Sequence, residues 1–118
     1  RQAEKILSEK GISTRIVDLR FLAPLDEKGI IEQAKACKKV LIVDECRGTG
    51  SISEAIMSML YEADVTGDET RAEGSIEQYT ISRVTAEDSF IPLGSAAYHV
   101  LPSTQGIVDA ALALIKAP

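Results

Sequence analysis

Apolar positions recur along this chain with two periods, and the alternation between them predicts the fold. Ala3, Ile6, Leu7 and Lys10 repeat at helical spacing over residues 1–10, and Gly11 supplies a left-handed stop. Residues Ile12 to Leu19 are short and β-branched, which predicts a strand. Pro24 breaks the chain, and Asp26 stands where a cap belongs for a helix running to about Lys38, buried through Ile30, Ile31, Ala34 and Cys37. Val40 to Val43 is a continuous apolar run, expected as a strand covered on both faces. After the turn Gly48-Thr49-Gly50, Ser51 and Glu54 have the spacing of a capping box. Ile52, Ala55, Ile56, Met59 and Leu60 behind it form one apolar helix face.

Residues 64–76 are polar and glycine-containing, as in a surface loop, and Tyr79 to Thr85 is a third strand candidate. Pro92 and Gly94 punctuate a loop before a short helix over Ser95 to Val100. Ser103 caps a last helix carrying Ile107, Val108, Ala111, Leu112 and Ile115. Helices alternating with short apolar strands predict an α/β, Rossmann-like domain: three layers, α/β/α, around a mostly parallel sheet. Residues 1–118 form one such domain. It opens inside a helix with no strand before it, so we expect a fragment lacking its first strand. The sheet is then expected to carry an interior gap near Ile16 and Leu41, met by a rearranged strand order or by another chain's strand.

Composition narrows the function. A length of 118 residues with 45% hydrophobic and 26% charged positions suits a folded domain. A net charge of −5 disfavours nucleic acid and anionic membrane surfaces as partners. No apolar run reaches the roughly 20 residues of a membrane span. Cys37 and Cys46 form no CxxC pair, which points to a reducing cytoplasm or organelle matrix.

Candidate chemistry is sparse. The turn Glu45 to Ser51 joins a strand to a helix start and could turn backbone N–H groups toward an anion. It lacks the P-loop lysine, has Ser53 where a third glycine would stand, and carries Glu54, so a plain turn and cap is favoured. Asp44 and Glu45 are adjacent on a strand and therefore face opposite ways, which suits backbone binding better than acid–base work. Cys46 beside Arg47 lacks a base fixed near it, and Cys37 is expected as a small core residue. His99 is expected to be packed or at an interface. No catalytic, cofactor-binding or metal-binding residue is assigned, and the domain alone is expected to be inactive.

Three collinear segments carry a resemblance. Val17-Asp18-Leu19-Arg20-Phe21-Leu22-Ala23-Pro24-Leu25-Asp26, the strand Val40 to Glu45 with its glycine turn, and Val84-Thr85-Ala86-Glu87-Asp88-Ser89-Phe90-Ile91-Pro92-Leu93-Gly94 resemble the carboxy-terminal domain of the transketolase family. The first is most similar to E1 component beta chains of pyruvate and branched-chain 2-oxo acid dehydrogenases. The family's glycine in the third segment is Ala86 here. The resemblance implies an intact enzyme that uses thiamine diphosphate and Mg in other domains to decarboxylate a 2-oxo acid and pass the acyl group to lipoamide. It implies as partners an E1 alpha part, a second copy of the beta part and, in some members, the acyltransferase core. This domain would then serve oligomerisation and docking. Alternatives are the same domain of transketolase or deoxyxylulose-phosphate synthase, and a free-standing Rossmann-like module binding a nucleotide or other anion. Arg20, Phe21, Leu22, Phe90, Ile91 and Leu93 sit in loops beside prolines, where large apolar groups suit a subunit contact. Asp18, Arg20 and Asp26 could equally serve local ion pairing and capping.

Overall fold

A computed structural model describes residues 1–65 and 80–117. Helices α1 (Gln2–Glu9), α2 (Glu27–Cys37), α3 (Ile52–Val65) and α4 (Thr104–Lys116) surround two strands, β1 (Lys39–Arg47) and β2 (Thr80–Ala86). The strands pair in parallel, Val40 opposite Ile81 and Asp44 opposite Thr85, with an irregularity between Asp44 and Arg47.

Successive side chains of β1 point to opposite faces and so feed two cores. Val40 and Ile42, with Ile81, pack on Ala34, Ile56 and Leu60 of α2 and α3. Leu41, between them, packs on Leu7, Val108 and Ala111 of α1 and α4. The result is the expected three-layer α/β/α arrangement. Lys39 Nζ ties the sheet to α4 by donating to the Ala117 carbonyl at 2.8 Å.

The caps follow the polar positions read from the chain. Asp26 Oδ1 accepts from the Gly29 N–H at 3.0 Å, and a Cβ on residue 29 would run into that carboxylate. Ser103 Oγ accepts from Gly106 N–H at 3.0 Å. Gly11 has φ +77°, as its role as a helix stop requires. The short helix expected near Ser95 is a 3-10 turn, Gly94–His99.

Other expectations are corrected. Ile12 to Leu19 forms no strand: it has no ladder partner and takes no regular structure. Ile12 and Leu19 still pack inward, on the α1/α4 and α2/α3 cores respectively, while Ile16 and Val17 are exposed. Between this segment and β1 lies a cleft of about 1090 Å³, lined among others by Ile16, Val17, Leu41 and Val43. Among the described residues no strand of this chain closes it. Apolar β-branched residues lacking a hydrogen-bonding neighbour stay extended and irregular. Cys37 is exposed on the cleft wall and is no core residue, because α2 buries Ala34 one turn earlier. Val40 to Val43 is only partly covered, and Val43 is exposed. The loop expected from residue 64 begins later, since α3 runs through Val65; the rest of that loop, and Tyr79, lie outside the described residues.

Candidate functional site

The carboxyl ends of β1 and β2 hold the densest polar network among the described residues. The irregularity after Asp44 lets that side chain turn back along its own strand, and Oδ1 accepts from Cys46 N–H at 2.9 Å. Oδ2 accepts from Ser53 N–H at 3.2 Å, so a strand-end carboxylate caps α3. Partial burial pushes the Asp44 carboxyl up. The hydrogen bonds it accepts from Cys46, Ser53 and Ser51 outweigh that and hold it below the ordinary carboxylate value.

Ser53 is fully buried, and its hydroxyl is satisfied by Ser51 Oγ at 2.6 Å and Arg83 Nη1 at 3.3 Å. Arg83, on β2, also donates to the Gly48 carbonyl at 2.7 Å and lies 3.9 Å from the Glu54 carboxylate. Glu54 Oε2 accepts from Gly50 N–H at 2.8 Å. The capping box expected from Ser51 and Glu54 is therefore not made. Glu54 reaches the residue before the expected one, its own amide donates to the Ser51 carbonyl at 3.1 Å instead of the Ser51 hydroxyl, and Asp44 takes the Ser53 amide.

The last member is Asp88, after β2. Its Oδ2 accepts from Thr49 Oγ1 at 2.9 Å and its Oδ1 from Thr49 N–H at 3.2 Å. The Thr49 hydroxyl first, then the Thr49 and Gly48 amides and the Arg47 charge, hold the Asp88 carboxyl below its ordinary value.

Chemically this network is closed. The amides of Thr49, Gly50 and Ser53, which could meet a phosphate, already face Asp88, Glu54 and Asp44. An incoming anion would have to displace three carboxylates of its own sign. These residues do not fit thiamine diphosphate, and among the described residues no group of three or more His, Cys, Asp or Glu side chains could hold its Mg ion. Cys46 and His99 are both exposed. Glu45 is exposed and lines the wide cleft. No described helix is long and apolar enough to cross a membrane.

The six residues expected at a subunit contact are all exposed. Phe21 is 77% exposed, Phe90 99% and Leu93 95%, with Leu22 and Ile91 about half exposed. Arg20 makes no ion pair or hydrogen bond among the described residues. Leu22 lines the wide cleft, whereas Phe90, Ile91 and Leu93 do not, so the structure does not gather the two loops around one pocket. Tyr98 stands beside them in the chain at 80% exposure and was not singled out from the sequence. Arg83, Ser53 and Thr49 were also missed, because their roles depend on pairings 30 to 39 positions apart. Asp88 was visible as a fixed position in the third segment, but without a role.

A parallel strand pair between helix pairs, with a self-satisfied polar knot at its carboxyl edge, defines an α/β domain over the described residues. The chain matches the transketolase C-terminal domain model over residues 1–96 and belongs to that family. Its relatives include the 1-deoxy-D-xylulose-5-phosphate synthase of Halothermothrix orenii, 29% identical over 97% of this chain and 17% of that protein. The pyruvate dehydrogenase E1 component subunit beta of Chlorokybus atmophyticus is 39% identical over 52% of this chain and 18% of its own length. The 2-oxoisovalerate dehydrogenase subunit beta of Bacillus subtilis is 43% identical over 52% of this chain and 19% of its own. The chain thus spans less than a fifth of these relatives.

Proposed function

We propose that this chain is the assembly domain of a larger thiamine-diphosphate-dependent enzyme, a 2-oxo acid dehydrogenase of the E1 beta kind, with cofactor and catalysis carried by other domains. The observation that carries the assembly role is the loop after β2, which exposes Phe90, Ile91, Leu93 and Tyr98 together. Large apolar groups so placed add little to a monomer and are typical anchors of a contact. Arg20, Phe21 and Leu22 supply a second contact, with Leu22 at the cleft. The partners in this reading are an E1 alpha part, a second beta copy and, in some assemblies, the acyltransferase core, in the cytoplasm or an organelle matrix. The cleft beside β1 supports a further reading of residues 1–118, as a domain whose first strand belongs to a neighbouring stretch of the intact protein.

A deoxyxylulose-phosphate synthase is the second reading, favoured by one observation: that relative aligns along 97% of the chain, while the E1 beta relatives align along about half. The test of the assembly role is Phe90→Asp in the intact protein, followed by sedimentation. We expect the oligomer to dissociate at concentrations where the wild type stays associated, with each subunit still folded. An unchanged mass would end the contact reading for this loop.

A further inference from the structure

We infer that Asp88 is the positioning residue of the apolar contact loop, acting as a staple that holds residues 87–100 in the shape a partner meets. This rests on the contact reading proposed above and deepens it.

The loop is closed at its base, where Glu87 N–H donates to the Val100 carbonyl at 3.0 Å. Fourteen residues thus leave and re-enter the body at one point, the form of a compact surface loop. Such a loop could still swing about its base. Asp88 removes that freedom. It sits in a tight turn, Ser89 N–H donating to the Glu87 carbonyl at 2.7 Å, and both its oxygens are held by Thr49.

Thr49 is itself a fixed post. Its carbonyl accepts from Arg47 Nε at 3.2 Å, and the next amide, of Gly50, is held by Glu54 in the first turn of α3. Loop 87–100 is therefore linked through one carboxylate to the start of a helix whose face carries Ile56 and Leu60 of the core. Phe90, two residues on, is almost wholly exposed, so packing does not order it. Its placement comes from Asp88.

Ordering such a loop in advance lowers the entropy lost on association. The staple therefore acts on affinity far more than on the stability of the fold, since Asp88 is on the surface and its hydrogen bonds are to exposed Thr49. That difference separates a positioning role from a merely structural one.

The experiment compares Asp88→Ala, Asp88→Asn and Phe90→Asp in the intact protein. Amide hydrogen exchange is read by mass spectrometry over residues 47–52 and 88–94, association by sedimentation, and unfolding by thermal melting. For Asp88→Ala we expect exchange at Thr49 and in the loop to rise about tenfold, the scale of a lost hydrogen bond to a charged acceptor. Self-association should weaken at least about fivefold, with the melting temperature nearly unchanged. Asp88→Asn keeps one oxygen acceptor and should recover part of both losses. If exchange rises but association holds while Phe90→Asp disrupts it, the inference fails and the contact reading stands. If Phe90→Asp also leaves association intact, or the wild type does not associate, both fall. If Asp88→Ala lowers the melting temperature as much as it weakens association, Asp88 is structural and the inference is overturned.

Discussion

Lys38 closes α2 in the left-handed region, at φ 62°, with its N–H donating to the Ala34 carbonyl at 2.8 Å. An L-residue there costs about 1–2 kcal/mol, which is why glycine is usual at this position. Glycine also gains more freedom on unfolding, so Lys38→Gly should stabilise the fold by a net of about 0.5–1 kcal/mol. Loss of an exposed lysine's ion pairing would subtract a few tenths. Thermal melting should show a rise of about 2–5 °C. A fall would mean that the lysine's contacts outweigh its backbone strain. The sequence carried no sign of this position, since nothing in the run Cys37-Lys38-Lys39 announces a left-handed residue. By contrast Asp26, Ser103 and Gly11 were legible as caps and a stop, because each acts within three or four residues of itself.

The elements differ in how far their causes reach along the chain. Helices α2 and α4 could be read from spacing and caps alone. The start of α3 could not, because its cap is Asp44, a residue of the preceding strand. Two outcomes follow for that junction. Asp44→Ala removes the acceptor for Ser53 and Cys46 amides and should cost about 1–2 kcal/mol by denaturant titration, as a lost helix cap does. The pH dependence has a definite sign. The folded Asp44 carboxyl titrates below its unfolded value near about 3.9, so its contribution is present above that pH and fades as pH falls through the folded value. Asp88 shifts in the same direction. The stability difference between wild type and Asp44→Asn should therefore be largest near neutrality and shrink below about pH 4. An equal difference at pH 6 and pH 3 would show that the ionised form of Asp44 contributes nothing. The segment Ile12 to Leu19 failed as a strand for a related reason. Its β-branched pattern fits a pleated surface, but a strand exists only with a neighbour to share its hydrogen bonds, and that is not a local property.

At the scale of the whole molecule, two extended stretches face each other across the 1090 Å³ cleft without a ladder between them. One edge of β1 pairs with β2 from Lys39 to Asp44. Because successive amides of a strand point to opposite edges, about half of those in Val40 to Val43 point to the cleft instead. An unpaired apolar edge of this kind is a template for pairing, and Ile16 and Val17 opposite it leave their side chains exposed. If the intact protein seats a further strand there, these amides become hydrogen-bonded and leave water. The comparison is between a polypeptide of residues 1–118 and the intact protein, by amide hydrogen exchange over residues 40–45 and 12–19. In the short polypeptide, half the β1 amides and most of those in 12–19 should exchange rapidly, while the β2-paired half stays slow. In the intact protein the fast half should slow by about 100-fold or more, as amides inside a sheet do when only subglobal opening exposes them. The same comparison separates a seated strand from simple burial of the cleft by apolar side chains. Burial alone leaves the amides without acceptors, at a cost of about 1–3 kcal/mol each, and does not produce the alternating pattern of a ladder. Identical exchange in the two proteins would mean that the cleft stays open in the intact protein, and the proposal of a seated strand would have to be withdrawn.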